Sequence, residues 1–121
     1  HYQQQALTQI RKFPDTKAEE ATTQISMVQS LLMLGRSEEA GHILEEAMAY
    51  YDTAEGQEDP HRSAAYAAAG EYAFCMGKYA AAEQDLQEAL RLSLEYYGEN
   101  DACEVIRKNL KEVQQRKNPQ D

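Results

Sequence analysis

An all-α fold of antiparallel helix pairs, stacked side by side, follows from three features of the sequence. Gly77 divides the stretch 64–98 into two helical segments. The first is crowded with small residues (Ala64, Ala65, Ala67, Ala68, Ala69, Gly70, Ala73), and the second repeats Tyr79, Ala82, Leu86, Ala89 and Leu90 at helical spacing. The same arrangement then occurs a second time, about 42 residues earlier, a period in the range of helical solenoids. In that shift Gly77 falls on Gly35, Ala82 on Ala40, Leu86 on Leu44, Ala89 on Ala47 and Gly98 on Gly56. Alanine is the best helix former, and a helix poor in side-chain bulk lets a neighbouring backbone come close. A glycine after such a helix ends it in the left-handed conformation without a Cβ penalty.

Taken in order, residues 1–13 place Tyr2, Ala6, Leu7, Ile10 and Phe13 at helical spacing, which predicts an N-terminal helix or arm. Pro14 breaks it, and Thr16 with Glu19 predicts a capping box for the next helix. The first repeat spans 16–56. Its leading helix runs to about Leu34 with Ile25, Val28, Leu31, Leu32 and Met33 on an apolar face. Its second helix is expected to be capped by Ser37, with Glu38 and Glu39 near the positive end of the helix dipole. The segment DTAEGQED reads as a loop. The second repeat, 59–98, opens with Asp59 as cap and Pro60 in the first turn. A capping helix, 101–117, is predicted from Asp101 and Glu104 as a second capping box, with Val105, Ile106, Leu110 and Val113 as a narrow apolar stripe. Its largely polar remainder suits the last element of a solenoid. The tail after 117 is expected to be disordered.

Tyr66, Gly70, Gly77, Tyr79, Ala82 and Ala89 fall on the pattern of the tetratricopeptide repeat. Over residues 16–117 the chain resembles that superfamily, with long repeats similar to those of kinesin light chains. It departs from the pattern at Gln24 and Val28, where an aromatic residue and a glycine are usual, and it lacks the asparagine-rich signature of the kinesin light chain first helix. The resemblance implies a right-handed α-solenoid of about two full repeats plus flanking helices, in which the leading helices line a concave groove. It places Ile25, Gln29, Leu32 and Met33 in that groove from the first repeat, then Ala67, Glu71, Phe74 and Cys75 from the second. The last helix adds Ile106, Asn109, Val113 and Arg116. A lysine- and asparagine-rich clamp for a terminal carboxylate is not expected, because the matching positions are mainly Ile25, Gln29, Ala68, Ile106 and Leu110.

The 121 residues amount to one domain. A net charge of −9 argues against nucleic acid or an anionic membrane as the main partner, and reads first as a solvated acidic surface. No apolar run approaches the roughly 20 residues that cross a bilayer, so membrane insertion is not expected and a cytoplasmic location is the default. Cys75 and Cys103 form no paired metal or redox motif. Cys75, inside an apolar helix, and Cys103, near a helix start, are expected as small buried hydrophobes, with a disulfide between repeats as the alternative. His42, among Glu38, Glu39, Glu45 and Glu46, reads as part of a solvated face rather than a metal site. Tyr50–Tyr51 and Tyr96–Tyr97 each end a second helix, with one ring of each pair expected to pack inward.

No phosphate loop, HExxH or dinucleotide fingerprint is present, so no catalysis and no cofactor are expected. The expected function is a protein–protein interaction module, an adaptor or scaffold that takes a peptide or partner segment in its groove. Two alternatives stand beside it. One is a regulatory or docking domain of a larger enzyme or signalling protein. The other is a structural spacer that self-associates through the open ends of the solenoid.

Overall fold

The computed structural model describes residues 17–117. The expected arm at 1–13, the break at Pro14, Thr16 of the first capping box and the tail beyond 117 lie outside those residues. The described residues form helices throughout, with no strand: α1 (Lys17–Met33), α2 (Ser37–Tyr51), α3 (Ala54–Gln57), α4 (Arg62–Cys75), α5 (Tyr79–Tyr97) and α6 (Asp101–Lys117).

α1 folds back onto α2, and α4 onto α5, through two turns with the same hydrogen bonds. After α1, Gly35 N–H donates to Leu32 C=O at 3.1 Å and Arg36 N–H to Leu31 C=O at 2.8 Å. After α4, Gly77 N–H donates to Phe74 C=O at 3.0 Å and Lys78 N–H to Ala73 C=O at 2.8 Å. Each turn thus satisfies two carbonyls left over at a helix end, with a glycine at φ 76° or 75° as the residue that makes the reversal. These are the two glycines that the 42-residue shift superimposes.

Small residues set how closely the helices approach. At Gly70, an added Cβ would lie 2.7 Å from Cγ of Leu86 and 3.3 Å from the carbonyl oxygen of Ala82, so α4 and α5 meet there nearly backbone to backbone. At Gly41, an added Cβ would lie 2.6 Å from the hydroxyl of Tyr72, which therefore seats α4 against α2. The core has two clusters. One joins Ala21, Ile25, Val28, Ala40, Leu44, Ala47 and Tyr51 to Ala65 and Ala68 of α4. The other joins Ala73 at the end of α4 to Ala82, Leu86 and Ala89 of α5 and to Ile106, Leu110 and Val113 of α6. Helix α4 belongs to both and ties the chain together.

Several local expectations are corrected. Ser37 is the first helical residue of α2 and no side chain caps that helix; Arg36 precedes it and instead clamps Glu39 through two 2.6 Å hydrogen bonds. At α6 the cap is Asn100, not Asp101, because Asn100 Oδ1 accepts the Cys103 N–H at 3.1 Å. The segment read as a loop contains the one-turn helix α3, started by Thr53, whose hydroxyl accepts the Gly56 N–H at 3.0 Å. Gly56 is therefore no counterpart of Gly98. It is buried against the Tyr50 carbonyl and the Tyr51 backbone, where a Cβ would collide, whereas Gly98 has positive φ and open space. Asp59 does not cap α4 and Pro60 is not in its first turn: Asp59 Oδ1 accepts the His61 N–H at 2.9 Å in the turn that precedes the helix, which starts at Arg62 after His61 with no side-chain cap. The apolar stripe of α6 runs through Cys103, Ile106, Leu110 and Val113, and Val105 faces out at 55% exposure.

Candidate functional site

The long leading helices α1, α4 and α6 come together around a groove that follows α4. Toward the C-terminal half of α4 the groove opens into a cleft of about 520 Å³. Its apolar surface comes from Leu32 and Met33 of α1, Phe74 of α4 and Val113 of α6, and Cys75 stands at its edge. Toward the N-terminal half lies a second cleft of about 470 Å³, bounded by Ala64 and Ala67 of α4, Val105 and Ile106 of α6, and Tyr97. Gln29, Glu71 and Asn109 border both clefts, one from each of the three helices. They mark the place where the two halves meet.

Glu71 is half-buried there, with no cation in ion-pairing reach among the described residues, and burial pushes its carboxyl pKa upward. Asp85 of α5, outside both clefts, is raised by burial in the same way, whereas acids with a basic partner shift downward. Arg91, through a two-pronged contact at 2.6 and 2.8 Å, draws the Glu88 carboxyl down, and Lys117 with Gln114 does the same for Glu83. Phe74 packs against Tyr79 at 5.5 Å between ring centroids. The Arg116 guanidinium lies over the Phe74 ring at 5.6 Å, within the range of a cation–π contact.

Of the residues that the resemblance places in a groove, Gln29, Leu32, Met33, Ala67, Glu71, Phe74, Cys75, Ile106, Asn109 and Val113 border these clefts. Ile25 does not. It is 4% exposed and belongs to the first core cluster, because its position on α1 faces α2 and α4 rather than the open side. Arg116 borders neither cleft and reaches the site only through the Phe74 ring.

Contrary to the expectation from its helix, Cys75 is not in the core, whereas Cys103 is. Cys75, the last residue of α4, is exposed; Cys103 is fully buried, its Sγ 3.5 Å from Ser93 Oγ. A cysteine at the very end of a helix has left the packed face, while Cys103 joins the inner stripe of α6. Both thiols are free. The tyrosine pairs also divide unequally. Tyr51 is buried, and Tyr50 donates its hydroxyl to Asp59 Oδ2 at 3.0 Å; burial, followed by that hydrogen bond, pushes the Tyr50 pKa up to about 12. Tyr96 and Tyr97 are both exposed, at 36% and 52%, and Tyr97 stands at the mouth of the second cleft.

Sequence reasoning missed Tyr97, Val105 and Glu112 as groove residues. Val105 could have been found: it sits beside, not on, the 103–106–110–113 stripe of α6, so an apolar residue there faces something other than the core. Among the described residues no group of three or more histidine, cysteine or acidic side chains could hold a metal ion, and no helix is long and apolar enough to cross a membrane.

No family model, curated protein or solved structure matches the chain. The geometry carries the functional reading alone.

Proposed function

We propose that the chain is a non-catalytic protein–protein interaction module of the tetratricopeptide type, a right-handed solenoid of about two repeats, serving as an adaptor or scaffold in the cytoplasm. Its ligand is an extended segment of a partner protein lying along α4. The observation that carries this reading is the pair of clefts that share Gln29, Glu71 and Asn109 and are bounded by α1 and α6. Such a groove has apolar shelves for side chains and isolated amides for the main chain, the usual make-up of a peptide site. The matching turns at Gly35 and Gly77 support the repeat reading, since they place two hairpins of the same construction 42 residues apart.

Display of random twelve-residue peptides against the full chain tests it. The wild-type chain is expected to enrich a shared pattern. Phe74→Ala removes an apolar shelf from the first cleft, and Ala64→Trp fills the second from an exposed position. Each should weaken the enriched peptides at least tenfold, in line with about 2 kcal/mol or more for a central anchor. Glu38→Ala, on the first turn of α2 outside both clefts, is the control. Peptides that bind all three variants as well as wild type, with helical circular dichroism intact, would sink the groove reading.

A further inference from the structure

The groove described above holds one acid at its centre, and the geometry points to a cationic ligand: an extended segment with a lysine or arginine seated on Glu71 and apolar residues two positions to either side. This rests on the groove being a peptide site and adds what the peptide must look like.

The first argument is charge. Glu71 is half-buried at the junction of both clefts, and no cation among the described residues pairs with it. An unpaired carboxylate partly withdrawn from water gains more from a cation than an exposed one does, because the pair is screened less. Burial already holds its pKa up, as it does for Asp85, but of the two only Glu71 lies in the groove. Glu112 also borders the first cleft and adds a second negative charge to it. Arg116 rests on the face of Phe74 instead of reaching the carboxylate, and the whole chain carries −9.

The second argument is spacing. At about 1.5 Å of rise per helical residue, Ala67 lies about 6 Å from Glu71 along α4, and Phe74 about 4.5 Å in the other direction. Side chains on one face of an extended peptide recur every two residues, or about 6.7 Å. A peptide running along α4 with its cation over Glu71 therefore presents its next same-face side chains to the Phe74 shelf and to the Ala67 shelf. The pattern is apolar–x–cation–x–apolar. Gln29 from α1 and Asn109 from α6 flank the cation position, where amides can meet the peptide main chain.

The test uses the full chain and synthetic nonapeptides, acetylated and amidated, with leucine at the third and seventh positions. The fifth position is lysine, arginine, norleucine or glutamate, and the rest are drawn from serine, glycine and asparagine. Fluorescence polarisation at low salt is expected to show the lysine and arginine pools binding at least tenfold tighter than the glutamate pool. Glu71→Gln should bring the lysine pool down to the level of norleucine, and Glu71→Lys should reverse the order of lysine and glutamate. Glu38→Gln should change nothing. Binding without a charge preference overturns the cation assignment and leaves the groove standing. No binding by any pool, either to the wild type or to the Arg11→Ser, Lys12→Ser variant, overturns the groove and this inference together. Binding that emerges only when Arg11→Ser and Lys12→Ser are introduced would make the chain's own amino-terminal segment the occupant, and the external ligand proposed here would be wrong.

Discussion

A carboxylate half withdrawn from water, with no cation beside it, costs free energy in its ionised form, and Glu71 is in that position. Burial raises its pKa in the folded chain above the unfolded value of about 4.3. Between those two values the folded chain still holds a proton that the unfolded chain has released, so stability falls as pH rises through the window. Below the unfolded value the cost is absent; at neutral pH it is present in full. Glu71→Gln should therefore stabilise the chain at pH 7, by no more than about 1 kcal/mol because the group is still partly in water, and leave it unchanged at pH 3.5. Urea denaturation at the two pH values checks this, and an equal shift at both would remove the electrostatic explanation.

Between elements, glycine does two separate jobs in this chain, and the sequence makes only one of them plain. Gly35 and Gly77 are legible because each follows a helical run of apolar residues, and the shift of 42 superimposes them. Gly56 aligns with Gly98 in the same shift, yet it serves close packing against the Tyr50 backbone inside α3, a contact that no local pattern announces. Helix starts were hidden for a similar reason. Asn100 and Asp101 are adjacent and both can cap, and only the path of the chain decides that Asn100 reaches the Cys103 N–H. The two jobs are separable by experiment. Gly35→Ala should cost about 1–2 kcal/mol from its left-handed backbone alone, since nothing lies within 4 Å of the new Cβ. Gly70→Ala should cost about 1–3 kcal/mol by driving Leu86 out of place. Asparagine tolerates the left-handed region, so Gly35→Asn should lose less than Gly35→Ala, while Gly70→Asn should lose more than Gly70→Ala. Thermal denaturation of the four variants gives the order; a common ranking at both positions would mean that one mechanism acts at both.

In the whole molecule, the groove and the core draw largely on different sides of the same helices, with Ile106 and Val113 of α6 shared by both, which is why much of the site but not all of it could be read in advance. Residues spaced along the open side of α1, α4 and α6 follow from helical periodicity once the helix pairs are recognised. Ile25 was misplaced because its position on α1 faces α2 and α4, and the expectation of Cys75 in the core failed because it is the last residue of α4, where the packed face has ended. The same architecture sets where the molecule should open first. In stacked helices each element is held by its neighbours alone, and α4 is shared by both core clusters while α6 packs on α5 and the end of α4. Surface contacts add to its hold: Lys117 and Gln114 reach Glu83 of α5 at 2.8 and 3.2 Å, and Arg107 grips Glu99 at 2.7 and 2.8 Å. Exposed pairs of this kind contribute little. Amide hydrogen exchange should therefore show α6 opening well before α4 and α5. Leu110→Ala, which empties part of the second cluster, should speed exchange in α6 while leaving α1 and α2 nearly as slow as before. Because Asn109 and Val113 of α6 border the groove, a bound lysine-centred nonapeptide should slow exchange in α6 more than in α2, which borders neither cleft. If ligand protects α2 and leaves α6 unchanged, the ligand lies on the other face of the stack and the groove along α4 is not where it binds.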